Sequence, residues 1–130
     1  MVSEKHFGVL KFLKEILAGK DLNWALTGST SFALQGLDFQ PNDIYIQTDE
    51  KLAYKIGEIL SNHAEKAVKF SSDGRIRSHF GKFNVKGLEV EVMGDLQKKH
   101  KDKWTEPVDI NEETKLIEHR SLELPVLKLD

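Results

Sequence analysis

Apolar residues near the start of the chain recur with a helical period, Phe7, Leu10, Leu13, Ile16 and Leu17 falling on one stripe. Ser3 is placed to cap such a helix, which is expected to run to about Ala18 and to end at Gly19. The next apolar run, WALT (Trp24 to Thr27), is short and reads as a buried strand. Gly28-Ser29 interrupts it, and TSFALQ (Thr30 to Gln35) reads as a short helix closed by Gly36. Beyond the loop LDFQPN the pattern becomes alternating in DIYIQT (Asp43 to Thr48), a strand with Ile44 and Ile46 facing a core. Asp49 then caps the clearest helix of the chain, marked by Leu52, Ile56, Ile59 and Leu60.

The second half is richer in strands. VKFSS (Val68 to Ser72) reads as one. HFGKFNVKGLEVEVMG reads as a hairpin turning near Lys86-Gly87, whose second arm LEVEV alternates strictly. The following residues are polar up to a last strand, LPVLKL. Helices and strands are interspersed and at least one pair of strands is antiparallel. The expected fold class is therefore α/β (α+β), a mixed sheet with helices packed on it.

Composition narrows this further. A chain of 130 residues, 39% hydrophobic and 31% charged, fits a single domain spanning residues 1–130. It contains no cysteine, which excludes disulfides, thiolate metal sites and cysteine nucleophiles. A formal charge of −2 argues against general nucleic-acid binding, which normally draws on a basic excess. No apolar run approaches the roughly 18 residues that span a bilayer, and MVSEKHFGVL is too polar for a signal peptide. The expected setting is cytoplasmic, without a membrane.

The alternation in the two strands also sorts the polar side chains. Asp43, Tyr45 and Gln47 share one face of DIYIQT, and Glu89 and Glu91 share one face of LEVEV. If these strands are neighbours, two carboxylates face Asp43 and make an oxygen-rich site suited to Mg²⁺. Upstream, Gly28 permits close backbone approach, and Ser29 with the helix start offers hydroxyl and N–H donors to a phosphate. No G-x-x-x-x-G-K-[ST] motif occurs, so the turn is not a P-loop. Each feature also has a plainer reading, as a turn, a solvated acid or the wet face of a sheet.

The order of these features resembles the nucleotidyltransferase superfamily that includes DNA polymerase β: a strand, Gly-Ser, a short helix, an acid on a strand and a later acidic strand. WALTGSTSFALQG, NDIYIQTDE, SHFG and VEVMGD are similar to small stand-alone nucleotidyltransferase-like proteins of bacteria and archaea, over roughly Asn23 to Leu129. The resemblance implies that Gly28 and Ser29 hold the triphosphate of a nucleoside triphosphate. It further implies that Asp43 and Glu91 bind Mg²⁺ as catalytic acids, and that a nucleoside monophosphate passes to a hydroxyl acceptor. It also implies a possible protein partner subunit, since small members are often paired with a helical protein.

One position departs from the family pattern. Where the resemblance calls for a second aspartate, the chain has Tyr45. A phenol brings one oxygen, and ionising it at neutral pH costs roughly 4 kcal/mol. Activity is therefore expected to be reduced or absent, with an inactive nucleotide-binding or partner-binding module as the alternative. Glu89, Asp49 and Gln47 are the residues that could substitute as ligands.

Other residues carry weaker signals. An extended RIRSHFGK would put Arg75, Arg77 and His79 on one face, either as a phosphate clamp, with Arg77 on nucleotide, or as a polar strand edge. KKHKDK reads as a solvated run, and the five histidines include no H-x-x-x-H pair for zinc. Trp24 and Phe32 read as core rather than base-stacking platforms, and Trp104, beside Pro107 in a polar stretch, as a candidate surface anchor for a partner.

Overall fold

In a computed structural model of the chain, which describes residues 2–17 and 23–129, the elements follow the patterned segments closely. Helix α1 (Glu4–Leu17) begins where Ser3 Oγ accepts a hydrogen bond from the His6 amide at 3.1 Å. Ala18 and Gly19, where the sequence places the end of this helix, lie outside the described residues. Strand β1 (Trp24–Thr27), helix α2 (Gly28–Leu34) and strand β2 (Asp43–Thr48) follow. Helix α3 (Glu50–Ile59) is capped by Asp49, whose Oδ1 accepts from the Leu52 amide at 2.7 Å. The remaining elements are β3 (Ala64–Ser72), β4 (Ile76–Val85), β5 (Leu88–His100), β6 (Lys103–Trp104), α4 (Ile110–Glu113), β7 (Thr114–His119) and β8 (Leu122–Leu127).

The strands form one mixed sheet in the order β3-β4-β5-β2-β1-β8-β7, with β6 paired to β5. β1 runs antiparallel to β2 and parallel to β8, while β2 runs parallel to β5. β4 and β5 form the expected hairpin, Lys86 and Gly87 both having positive φ, as a tight two-residue turn requires.

Apolar stripes of α1 (Val9, Leu10, Leu13, Leu17) and α3 (Leu52, Ala53, Ile56) join one face of the sheet in a single buried cluster. That face contributes Leu26, Ile44, Ile46, Phe83, Val90, Val92, Leu124 and Val126. The opposite face of β2 and β5 carries the half-exposed Asp43, Tyr45, Gln47, Glu89 and Glu91.

Several sequence expectations change. On α1 the buried stripe includes His6 and Val9, while Phe7 is only half-buried and packs on His119. β3 begins at Ala64 rather than Val68, because its first residues are exposed and show no hydrophobic alternation. The polar stretch before β8 contains β6, α4 and β7, none of which the sequence pattern announces. Trp24 is core, but Phe32 is half-buried against Phe39, with ring centroids 5.3 Å apart. No described helix is long and apolar enough to cross a membrane.

Candidate functional site

The parallel pairing of β2 with β5 sets the site. Asp43 lies opposite Glu89 and Tyr45 opposite Glu91, so these four side chains occupy adjacent places on the open face. The β4–β5 hairpin adds Lys82 opposite Glu91, and its Nζ lies 3.0 Å from Glu89 Oε1. On the other side, antiparallel β1 ends at Thr27 opposite Tyr45, which delivers the Gly28 turn to the same place. The structure thus brings Gly28, Asp43, Glu89 and Glu91 together around Tyr45.

The Gly28 turn is shaped by close approach. Gly28 has φ +72, and a Cβ there would meet Tyr45 Cδ2 at 2.7 Å. The aromatic ring therefore lies directly against the turn. Thr27, which precedes α2, makes no side-chain cap bond, so the first amides of this helix have no capping side chain. The phenol interacts with the Asp43 carboxylate, which together with burial and the charges of Glu91 and Glu89 pushes it up to about 12. Tyr45 is accordingly a neutral donor near neutral pH.

The three acids are unequal. Glu89 is held below the usual carboxylate range, first by Lys82. Glu91 is pushed up to about 7 by burial and then by its contact with Glu89, with Asp43 adding to the effect. Crowded carboxylates of this kind retain a proton until a cation arrives. Asp49 and Gln47 play other parts: Asp49 caps α3, and Gln47 lies one pair further along, opposite Met93.

A second layer fixes the first residue of β2. Thr30 Oγ1 donates to the Asp43 carbonyl at 2.6 Å and contacts His6 Nε2 at 2.8 Å. The hydroxyl proton is committed to the carbonyl, so His6 must donate through Nε2. Both side chains are 1% exposed, and burial lowers the histidine pKa, keeping the ring neutral. Thr30→Val should leave His6 Nε2 and the Asp43 carbonyl unpartnered and cost about 1–3 kcal/mol, read from urea denaturation. Sequence reasoning missed His6, although it stands four residues before Leu10 on the apolar stripe. It missed Lys82 too, which counting back from the Lys86-Gly87 turn places opposite Glu91.

Arg77 and His79 are divided rather than grouped. Arg77 Nε donates to Gln97 Oε1 at 2.9 Å, and its guanidinium lies 4.2 Å from the centre of the Trp104 ring. Trp104 is therefore half-buried beneath a cation, not a free surface anchor. His79 contacts Tyr54 and Glu50 of α3. From Glu91 a groove of about 360 Å³ runs past Met93, Phe80, Ser78 and Leu96, and Arg77 also lines it.

The fold is shared with known proteins. The model of a family described as aminoglycoside-2''-adenylyltransferase matches residues 9–130. A crystal structure from Thermotoga maritima, TM1012, provisionally assigned as a nucleotidyltransferase, superposes with a TM-score of 0.95 at 42% identity. That match covers 99% of this chain and 81% of the other. The lincomycin-bound lincosamide antibiotic adenylyltransferase LnuA shares the fold, with a TM-score of 0.57 at 14% identity over 98% of this chain and 81% of its own. No curated protein sequence matches.

Proposed function

The chain belongs to the aminoglycoside-2''-adenylyltransferase family, and we propose that as a single domain it binds a nucleoside triphosphate with Mg²⁺ at the open face of β2 and β5. Asp43 and Glu91 would hold the metal, with Glu89 able to join them once Lys82 releases it. The uncapped amides after Gly28, together with Ser29, would take the triphosphate. The nucleoside would lie along the groove beyond Glu91, with Arg77 at its far end.

The chemistry is transfer of a nucleoside monophosphate to a hydroxyl acceptor, with pyrophosphate leaving. Bound Mg²⁺ would supply charge neutralisation on the phosphates. Asp43 would position the ion through a strand end fixed by Thr30 and His6. Tyr45 stands where related proteins would carry a second aspartate, and its neutral phenol leaves a single-metal site with slow transfer. The acceptors to try first are those in the names of the family and the structural neighbour, an aminoglycoside and a lincosamide hydroxyl.

The observation that carries the reading is the register that sets Asp43 opposite Glu89 and Tyr45 opposite Glu91, beside the Gly28 turn. Titration calorimetry with Mg-ATP and Mg-GTP tests it: binding that disappears in Asp43→Asn is expected, and no binding by the unmodified chain sinks the proposal. Binding without any turnover selects the second reading, an inactive nucleotide-binding or partner-binding module, which the Tyr45 ring packed on Gly28 favours.

The site also predicts a pH dependence. Burial, then crowding by Glu89 and Asp43, makes Glu91 hold its proton up to about pH 7, with Lys82 opposing. Metal binding must displace that proton, so Mg²⁺ affinity should rise between about pH 6 and 8. Glu91→Gln should bind Mg²⁺ more weakly and lose this pH dependence. Calorimetry in buffers of different ionisation heat counts the protons released.

A further inference from the structure

A second cluster of ligand atoms lies apart from the Asp43 site. One ligand atom each from Glu50, His79 and Asp95 fall within 4.8 Å of one another. We infer that this trio is a binding site for a divalent transition-metal ion of the Zn²⁺ or Mn²⁺ type, clamping α3 to the β4–β5 hairpin. His79 is paired with Gly94 beneath α3, whereas Asp43 and Glu91 project from the opposite face of the sheet.

Three separate elements are shaped to bring the ligands together. Glu50 is the first residue of α3, seated on β5 so closely that a Cβ at Gly94 would meet the Asp49 carbonyl at 2.9 Å. Asp95 comes next and has φ 50, where the register jumps from His79–Gly94 to Arg77–Gln97. Two residues of β5, Asp95 and Leu96, therefore oppose Ser78 alone. Such a bulge re-aims side chains.

His79 is oriented as metal-binding imidazoles are. Nε2 faces Glu50 Oε1 at 3.2 Å, while Nδ1 contacts the Tyr54 hydroxyl at 2.9 Å. The Tyr54 and Phe70 rings both meet the imidazole at tilted or edge-on angles, with centroids 5.4 and 5.3 Å away, and leave its side chain 17% exposed. In the tautomer whose Nε2–H points to Glu50, Tyr54 donates to Nδ1. With metal on Nε2, Nδ1–H donates to the Tyr54 oxygen instead. One hydroxyl serves both tautomers, the outer-sphere support typical of ligating histidines.

Geometry and charge agree. Ligands on a tetrahedral ion with bonds of about 2.1 Å lie about 3.4 Å apart, close to the observed histidine–glutamate separation. Asp95 would close the remaining gap by a small side-chain rotation. Among the described residues Asp95 has no ion-pair or side-chain hydrogen-bond partner, so its carboxylate can turn toward an ion held by His79 and Glu50. One nitrogen and two carboxylate oxygens suit Zn²⁺ or Mn²⁺ better than Mg²⁺, leaving a fourth position for water.

The test uses the metal-free full chain, Zn²⁺ alone and no nucleotide, so its outcome is independent of the nucleotide reading. Calorimetry should give a site that survives in Asp43→Asn and weakens by at least about tenfold in Asp95→Asn and in His79→Gln. Asparagine tolerates the left-handed backbone at position 95, so that variant should keep its fold. Zn²⁺ should raise the melting temperature of the unmodified chain but not of Asp95→Asn. Co²⁺ as a spectroscopic probe should give a visible band that moves in His79→Gln. Equal Zn²⁺ affinity in all four proteins, binding lost only in Asp43→Asn, or no binding would each overturn the assignment.

Discussion

Tyr45→Asp should raise Mg²⁺-dependent nucleotidyl transfer by about a hundredfold or more, the scale on which single transition-state stabilising groups act. Two effects combine at this position. The substitution removes a ring that lies against Gly28 and whose phenol, pushed up to about 12, stays protonated near neutral pH. It also adds a carboxylate two residues from Asp43 on the same strand face, about 6.5 Å along the backbone, where the pair can flank two ions. Control substitutions separate the effects. Tyr45→Phe keeps the ring and should leave turnover where it stands, while Tyr45→Ala clears the turn and should tighten nucleotide binding without restoring rate. Release of pyrophosphate compares turnover in all three, and calorimetry with Mg-ATP reads the nucleotide binding of Tyr45→Ala. If Tyr45→Asp binds Mg-ATP as the unmodified chain does yet turns over no faster, the missing carboxylate is not what limits transfer.

Gly94→Ala should destabilise the protein strongly, costing about 3 kcal/mol and lowering the melting temperature by roughly 10 °C. Gly94 sits in β5 between Thr48 of β2 and His79 of β4. An added Cβ would meet Ala53 Cβ at 2.7 Å, and the Asp49 carbonyl oxygen and carbon at 2.9 and 3.2 Å. Two of these atoms are backbone at the start of α3, so the helix as a whole would have to lift from the sheet. Gly81 is the useful contrast. A Cβ there would meet Val68 Cγ2 at 2.6 Å and the Phe83 ring at 3.0 Å, both side-chain atoms that can yield. Gly81→Ala is therefore expected to cost clearly less. Comparable losses in the two variants, measured by chemical denaturation, would show that α3 is not seated as tightly as these distances require.

The chemistry-bearing segments were legible because each carries its own local pattern. Strict alternation fixed the faces of DIYIQT and LEVEV, and the structure gives Asp43, Tyr45, Glu89 and Glu91 the side that the period of two assigns them. Ser3 and Asp49 cap the helices they precede, since an oxygen-bearing side chain just before an apolar stripe is a local solution to orphaned amides. Where the local signal was silent, the reading failed. β7 and β8 turn through Arg120 and Ser121 at φ 52 and 68, without a glycine to mark the bend. The first half of β3 is exposed and shows no hydrophobic alternation. His6 carried no signal of its role, because its buried partner Thr30 lies far along the chain.

The sequence by itself determined which side chains share a strand face, where the β4–β5 hairpin bends and where α1 and α3 begin, because these depend on neighbours a few residues away. Only the tertiary structure decided that β2 and β5 lie side by side in parallel with Tyr45 opposite Glu91. It alone set the Tyr45 ring on Gly28, and it alone brought Glu50, His79 and Asp95 within reach of one ion. Those arrangements join segments separated by many residues. They are fixed by the burial of α1 and α3 against a single sheet, which no local pattern records.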